Sequence, residues 1–382
     1  MAGALEGIKV LDLSRYIAGP MCAMQLADMG ADVIKVERTG KGEDTRQNLP
    51  QMNGESLYFM TFNRNKRSVA LDFRNPKDQE TLRQLASKAD VLIENFRPGT
   101  MEKMGCGWDT LQALNPRLVM VRISGFGQTG PLAKRACFDA IAQAMSGLMS
   151  MTGQSDGPPT LAGTFMVDYT SALYATIGTL SALHSRQTSG KGQLVEATLL
   201  ESAASLLLTA IPQQKQLDNT MSRCGNLDRY TAPVNSYQTS DGRWVYLAAG
   251  TDALFPRLVS AMKQPGLLDD ERFATAHARL ANGLAIDAVV AEWVKGRTAD
   301  AVVEAMDAVA VPCAKVATID EVVQNPQLQA RGQIVDIDHP VAGRYTTHGV
   351  TVKLSDTPGS VRRPPPTVGQ HNEEVLREWG VN

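Results

Sequence analysis

The residue of this sequence best placed to do chemistry is Asp168, within Gly163–Ser181 (GTFMVDYTSALYATIGTLS). It is the only charge in a long run of apolar and small residues. From Tyr169 onward, Ala172, Leu173, Ala175, Thr176, Thr179, Leu180 and Leu183 return at spacings of three and four, which predicts a helix. Asp168 then falls at or just before a helix N-terminus. As an N-cap, its carboxylate would accept a backbone N–H. As a nucleophile, it would be kept ionised by the N–H groups of the helix start, which would also hold charge on a tetrahedral intermediate. The two roles are compatible.

The elements around it read as an α/β alternation. Ile8–Leu13 is a short buried strand, Ser14–Pro20 a loop, Met21–Met29 an apolar-periodic helix closed by Gly30, and Asp32–Val36 a second strand. This β-α-β order predicts a parallel sheet. Further strands are expected at Ser68–Phe73, Val91–Glu94, Val119–Ile123 and Gln193–Ala197, with helices at Lys77–Ala89, Asp139–Met151 and Thr198–Ala210. The first turn contains no GxGxxG, so a dinucleotide site of the usual kind is not supported. Polar, Gly-rich loops follow the strands at 14–20, 37–46, 94–99 and 124–131. In open α/β sheets ligands bind at the carboxyl ends of strands, so these loops converge on one candidate site, although each alone reads as a plain turn.

Character changes near Pro212. Residues 1–212 read as a large α/β domain, 213–225 as a polar linker, 226–325 as a smaller domain, and 326–382 as a return segment completing the large one. In the smaller domain Asn235–Ala248 alternates like a hairpin turning at Ser240-Asp241-Gly242. Helical patterns follow at Asp252–Met262, Leu284–Val294 and Ala299–Met306, and Val311–Val316 fits an edge strand around Pro312. In the return segment Gln333–Ile337 and Thr351–Leu354 read as strands and Glu373–Trp379 as a terminal helix.

Composition bounds the function. The 382 residues are 43% hydrophobic and 20% charged, and the net charge of -2 gives no reason to expect nucleic-acid or membrane binding. Five scattered cysteines and five histidines show no metal-ligand spacing, so neither a metal site nor a disulfide framework is expected. The start lacks a signal peptide's basic and apolar regions, and no apolar run reaches the ~20 residues that span a bilayer. A reduced, cytoplasmic protein is the expectation.

Taken together, LEGIKVLDLSRYIAGP at 5–20, GADVIKVE at 30–37, NRNKRSVALDF at 63–73, ADVLIENFRPG at 89–99, SGFGQTGP at 124–131, DAIAQAMSGLMSMTG at 139–153, VDYTSALYATIGTLSAL at 167–183 and VGQHNEEVLREWG at 368–380 resemble the class III CoA-transferase (CaiB/BaiF) family. The resemblance covers nearly the whole chain. It implies a doubly wound parallel-sheet domain with an inserted smaller α+β domain, and dimers whose two ring-like chains are interlinked. It implies an acyl-CoA and a carboxylic acid as substrates, with no permanently bound cofactor. An aspartate at the position of Asp168 is the family's nucleophile, passing through an aspartyl anhydride and an aspartyl-CoA thioester. CoA contacts carried over by the resemblance are Arg15, Tyr16, Ile17, Arg38, Leu71, Phe73, Arg74, Asn95, Phe96, Arg97 and Lys103.

The sequence departs from the formyl-transferring members. Their glycine-run lid is matched here by LAAGTD at Leu247–Asp252, and Asn48 stands near their tryptophan. Arg46, Arg64 and Arg135 are candidates for the second carboxylate of a dicarboxylic acid, as in succinyl-CoA-dependent relatives; they read equally well as surface charges or CoA contacts. An α-methylacyl-CoA racemase, which shares the fold, places a histidine immediately before the position of Asp139; Phe138 stands there. A non-catalytic CoA-binding relative would have lost the nucleophile, which Asp168 retains.

Overall fold

A computed structural model describes residues 3–381. The chain forms two compact units, one built from the segments up to Leu148, Leu161–Ile211 and Asn325 onward, the other from Met149–Thr160 and Pro212–Gln324.

The first unit is a six-stranded parallel sheet of Lys9–Asp12 (β1), Asp32–Arg38 (β2), Lys66–Leu71 (β3), Val91–Glu94 (β4), Val119–Ser124 (β5) and Leu194–Thr198 (β6), in the order β3-β2-β1-β4-β5-β6. The central strands are apolar on both faces, with Val10, Leu11, Val91, Leu92, Val119 and Met120 fully buried. That is why they read as unbroken apolar runs instead of alternating ones. One face is covered by Ala18–Asp28 (α1) and the long helix Met166–Ser189, through Cys22, Leu26, Ala172 and Ala175. The other is covered by Pro76–Lys88, Trp108–Leu114 and the terminal helix Asn372–Glu378, with Leu82, Leu85, Leu111 and Val375 buried. Helices on both faces and a strand order that reverses between β1 and β4 make the sheet doubly wound, and the crevice outside the carboxyl ends of β1 and β4 is its switch point.

Three stretches differ from the sequence expectation. The strand expected at Thr351–Leu354 lies instead at Gly343–His348, paired antiparallel with Ile334–His339 as a separate ribbon. Gly349 N donates to Gln333 O at 2.7 Å and closes the ribbon before residue 351. The helix expected over Thr198–Ala210 ends at Ala204, and a second one, Ala210–Leu217, occupies part of the expected linker. The helix expected over Asp139–Met151 is broken at Gly147, whose φ of 95° is left-handed.

The second unit packs Phe255–Met262, Gly283–Lys295 and Ala299–Asp307 on a three-stranded antiparallel sheet, around Phe255, Leu258, Val290 and Val302. Its hairpin is Val234–Gln238 with Trp244–Ala248, and Cys313–Lys315 is the outer strand. Residues 149–160, grouped with the large domain in the sequence reading, belong here: Gly225 N donates to Gly153 O at 2.9 Å and Arg229 Nη2 to Met151 O at 3.1 Å. Leu247–Asp252 is tied within the same unit, through Ala249 N to Pro233 O at 2.9 Å and the Arg279–Asp252 ion pair at 2.7 Å. Among the described residues no helix is long and apolar enough to cross a membrane.

Candidate active site

At the switch point the chain leaves β1 through Leu13, Ser14 and Arg15. Asp12 accepts the Ser14 N–H at 2.9 Å, which turns the loop. Gly19 in the first turn of α1 lies so close to Ser14 that a side chain there would collide with it, so this glycine is a packing requirement. From β4, Asn95 clamps Arg15 on both sides: its Oδ1 accepts the Arg15 N–H at 2.8 Å and its Nδ2 donates to Arg15 O at 2.7 Å. Tyr16 follows with a left-handed φ of 66°, a conformation that is costly for an aromatic residue and that aims its ring edge at Phe138, 5.7 Å between centroids.

Two cavities open here and share Arg15 and Phe96. One, of about 300 Å³, is lined by Arg15–Ala18, Asn95–Pro98, Arg135–Phe138 and Asp168. The other, of about 460 Å³, is lined by Arg15, Arg38, Asp44, Phe73, Arg74 and Phe96, among others. Arg15 lies over the Phe96 ring at 5.3 Å. Of the residues expected to contact CoA, Arg15, Tyr16, Ile17, Asn95, Phe96 and Arg97 line the first cavity, and Arg38, Phe73 and Arg74 the second. Leu71 and Lys103 line neither: Leu71 is buried in the sheet core, and Lys103 is exposed on a four-residue helix.

Asp168 is the third residue of the helix Met166–Ser189, and so is not its N-cap. Phe165 holds that position without a side-chain hydrogen bond. The capping is done from another element. Asp139, at the start of the helix Asp139–Ser146, is buried, and its Oδ2 accepts the N–H groups of Val167 at 2.8 Å and Asp168 at 3.0 Å. Gln143 Nε2 holds the other oxygen at 2.5 Å. The Asp168 carboxylate therefore has no structural bond to make among the described residues and faces the cavity. Burial, and secondarily the Asp139 charge, raise it to about 7. A carboxylate of that basicity is a better nucleophile than an ordinary one, half ionised at neutral pH and fully ionised above it.

CoA-transferase family III is matched by residues 5–372. A succinyl-CoA–D-citramalate CoA-transferase of Chloroflexus aurantiacus is 40% identical over 375 residues, 98% of this chain and 93% of that protein. A succinyl-CoA:glutarate CoA-transferase of Homo sapiens is 34% identical over 375 residues, 98% of this chain and 85% of that one. The crystal structure of a CaiB/BaiF family protein from Brucella suis superposes with a TM-score of 0.88 at 34% identity, covering 99% of this chain and 100% of that one. The chain belongs to CoA-transferase family III.

Two arginines offered by the sequence for a second carboxylate are structural in this CoA-transferase. Arg46 is buried, pairs with Glu37 through Nε and Nη2 at 2.8 and 2.7 Å, and stacks on Phe59 at 3.7 Å. Arg64 is 1% exposed and bound to Asp28 at 3.1 and 2.7 Å and to Gly349 O at 3.3 Å. Arg135 differs: it is exposed and lines the cavity of Asp168. Phe138 is 63% exposed at that cavity, where a racemase would place its histidine.

An ion cluster not anticipated from the sequence holds both cavity loops. Lys66 Nζ donates to Asp12 Oδ2 and Asn63 Oδ1 at 2.7 and 2.8 Å, and Lys35 pairs with Glu43 at 2.5 Å, all of these side chains being buried. Lys35 contacts Ser14 O as well, so one amine ties the loop after β1 to the loop after β2. Its one signal was Lys35 inside the apolar run of DVIKV; Lys66 opens KRSVAL beside Arg67 and Ser68 and gave none.

Proposed function

We propose that this CoA-transferase moves CoA between dicarboxylic acids, with succinyl-CoA as a donor and Asp168 as the nucleophile. The single observation that carries the mechanism is the Asp168 carboxylate: raised to about 7, without a structural partner among the described residues, and in one cavity with Arg15, Asn95 and Arg97. The substrate class is supported by the named relatives, which use succinyl-CoA with dicarboxylic acids, and by Arg135, the charge in that cavity left for a remote carboxylate.

In the first step Asp168 attacks the donor thioester carbonyl; the C–S bond breaks, giving a mixed anhydride and CoA thiolate. The thiolate attacks the aspartyl carbonyl, releasing the donor acid and leaving aspartyl-CoA. The acceptor carboxylate attacks that thioester, the thiolate leaves again, and it then takes the acceptor acyl group from the new anhydride while Asp168 is regenerated. No proton is transferred at carbon, so the absence of a base at Phe138 is no obstacle. Covalent catalysis divides one difficult exchange into easier ones. The N–H groups of Val167 and Asp168 at the start of the Asp168 helix are taken by Asp139, so, contrary to the sequence expectation, they neither keep Asp168 ionised nor hold the charge of a tetrahedral intermediate. Arg38, Phe73 and Arg74 take the nucleotide end of CoA, where arginines suit phosphate. The same reading has the enzyme acting as a cytoplasmic interlinked homodimer; the exposed Leu173, Tyr174 and Ile177 on one helix give such a partner an apolar face to cover.

The test is a matrix of acyl-CoAs against free acids read by mass spectrometry, with hydroxylamine added during turnover. Transfer from succinyl-CoA to a second dicarboxylic acid and a hydroxamate at Asp168 are expected. Deuterium uptake at the α-carbon of a 2-methylacyl-CoA without transfer would sink the reading.

A further inference from the structure

Arg15 and Arg38 share one counter-ion. Arg15 Nη1 donates to Asp44 Oδ2 at 2.9 Å, and Arg38 Nη2 donates to Asp44 Oδ1 at 2.7 Å. Arg38 Nε is occupied by Gly42 O at 2.7 Å. All of them line the 460 Å³ cavity, and Arg15 lines the cavity of Asp168 as well. The three side chains are partly open, at 39%, 51% and 31% exposure for Arg15, Arg38 and Asp44, so a ligand can reach the bridge. Each arginine gives Asp44 only one of its terminal nitrogens. Arg15 Nε is buried with no acceptor among the described residues, so this guanidinium is not saturated by its present partner.

The backbone on both sides of Asp44 is pinned. Glu43 N donates to Glu37 Oε2 at 3.0 Å, Glu43 pairs with the buried Lys35, and Arg46 is locked to Glu37. The Asp44 carboxylate can leave the arginines by a side-chain rotation alone.

A carboxylate bridging two arginines stands where a free carboxylic acid would bind. We propose that Asp44 is a specificity-determining residue: a built-in carboxylate that keeps free carboxylic acids off the Arg15–Arg38 pair and yields it to the phosphate groups of the CoA thioester. This rests on the reading that Arg38 meets a CoA phosphate, and extends it to Arg15, which shares the same counter-ion. A free acid, malonate included, can displace Asp44 only by offering the arginines carboxylate oxygens of the same kind, and it loses its translational freedom on binding. Asp44 also competes at the effective concentration of a tethered group. A phosphate monoester carries about −1.5 to −2 charge at pH 7 and three strong acceptor oxygens, and so outbids it. The need is specific to this reaction, whose second substrate is itself a free acid that two bare arginines would bind.

The test is calorimetric titration of CoA into wild-type protein and Asp44→Asn, alone, with malonate, and with inorganic pyrophosphate, at constant ionic strength. In wild type, malonate should change CoA affinity less than twofold while pyrophosphate competes. In Asp44→Asn, malonate should weaken CoA binding tenfold or more. Equal malonate sensitivity in the two proteins overturns the proposal. So does malonate displacing CoA from wild type as well as pyrophosphate does, a result that needs no variant to fold. If pyrophosphate fails to compete in wild type, the phosphate reading of Arg15 and Arg38 is wrong and the proposal falls with it. No step of the titration involves turnover, so a failure of the covalent role of Asp168 leaves its outcome untouched.

Discussion

Asp139 is bonded to the backbone of Asp168, not to its side chain: its Oδ2 accepts the Asp168 N–H at 3.0 Å. The same oxygen accepts the Val167 N–H, so a residue 29 positions before Asp168 caps the start of its helix. Asp139 thereby fixes where Asp168 sits and places a second negative charge beside it.

That arrangement predicts a pH profile. The Asp168 carboxyl titrates at about 7, first because of burial and then because of Asp139. The nucleophile is the ionised form, so kcat/KM should fall as pH drops through about 7. Asp139→Asn removes the charge but not the burial, so the acidic limb should move to lower pH without reaching the ordinary aspartate range. The new amide nitrogen would face that of Gln143, so a loss of about 1 kcal/mol in thermal or urea denaturation is also expected. A limb that stays put in the folded variant would remove Asp139 from the control of Asp168.

Arg38 should act in binding. It lies at the end of β2 in the cavity away from Asp168. Arg38→Ala should raise KM for acyl-CoA by roughly tenfold or more and leave kcat at saturation nearly unchanged, because an interaction remote from the reacting carbon contributes equally before and in the transition state. Steady-state kinetics with varied acyl-CoA decide it; an unchanged KM counts against the assignment.

Arg64 should act in folding. It joins Asp28 at the end of α1 to the carbonyls of His348 and Gly349 in the return segment. Arg64→Ala leaves Asp28, 4% exposed, as a buried unpaired charge, which costs about 3–5 kcal/mol. Urea denaturation should show that loss. A soluble, fully stable variant with altered acid preference would restore the substrate-binding reading that the burial of Arg64 contradicts.

The chain's order of apolar runs and Gly-rich loops was enough to expect the parallel sheet, because β1, β4 and β5 are buried on both faces and their sequences say so. The convergence of Arg15 and Asn95 was legible for the same reason: strand-end loops of a doubly wound sheet meet at one crevice, whereas Asp168 lies on a helix and its place at that crevice was not readable from the strand order. What the sequence hid were pairings across long separations. Nothing near Arg64 or Arg46 distinguishes a buried arginine from a substrate-binding one; their partners, Asp28, Glu37 and the 348–349 carbonyls, come from other elements. The role of Asp139 was hidden likewise, since a helix start is normally read from its own flanking residues, and here the acceptor comes from a different helix.

The last prediction separates the chemistry of Asp168 from its structural weight. A carboxyl raised from 3.8 to about 7 is disfavoured as an anion in the folded protein. Between those two values the native state holds a proton that the unfolded chain has released, so this group's contribution to stability falls as pH rises through the window and its penalty is complete above about 7. The shift corresponds to on the order of 4 kcal/mol, less whatever solvent reaching the cavity recovers. Asp168 caps nothing, so Asp168→Asn and Asp168→Ala should both fold, and at pH 8 both should melt at or above the wild-type temperature. Both should lose CoA transfer by roughly 10⁴-fold or more, as expected for removal of a nucleophile. Neither should give the hydroxamate that hydroxylamine traps on the wild-type peptide containing residue 168. Differential scanning calorimetry at pH 5 and 8 beside a transfer assay makes the comparison. A wild type that gains stability relative to Asp168→Asn between pH 5 and 8 would show that the carboxylate is held by a partner in the fold, and an Asn variant that still transfers CoA would take Asp168 out of the mechanism.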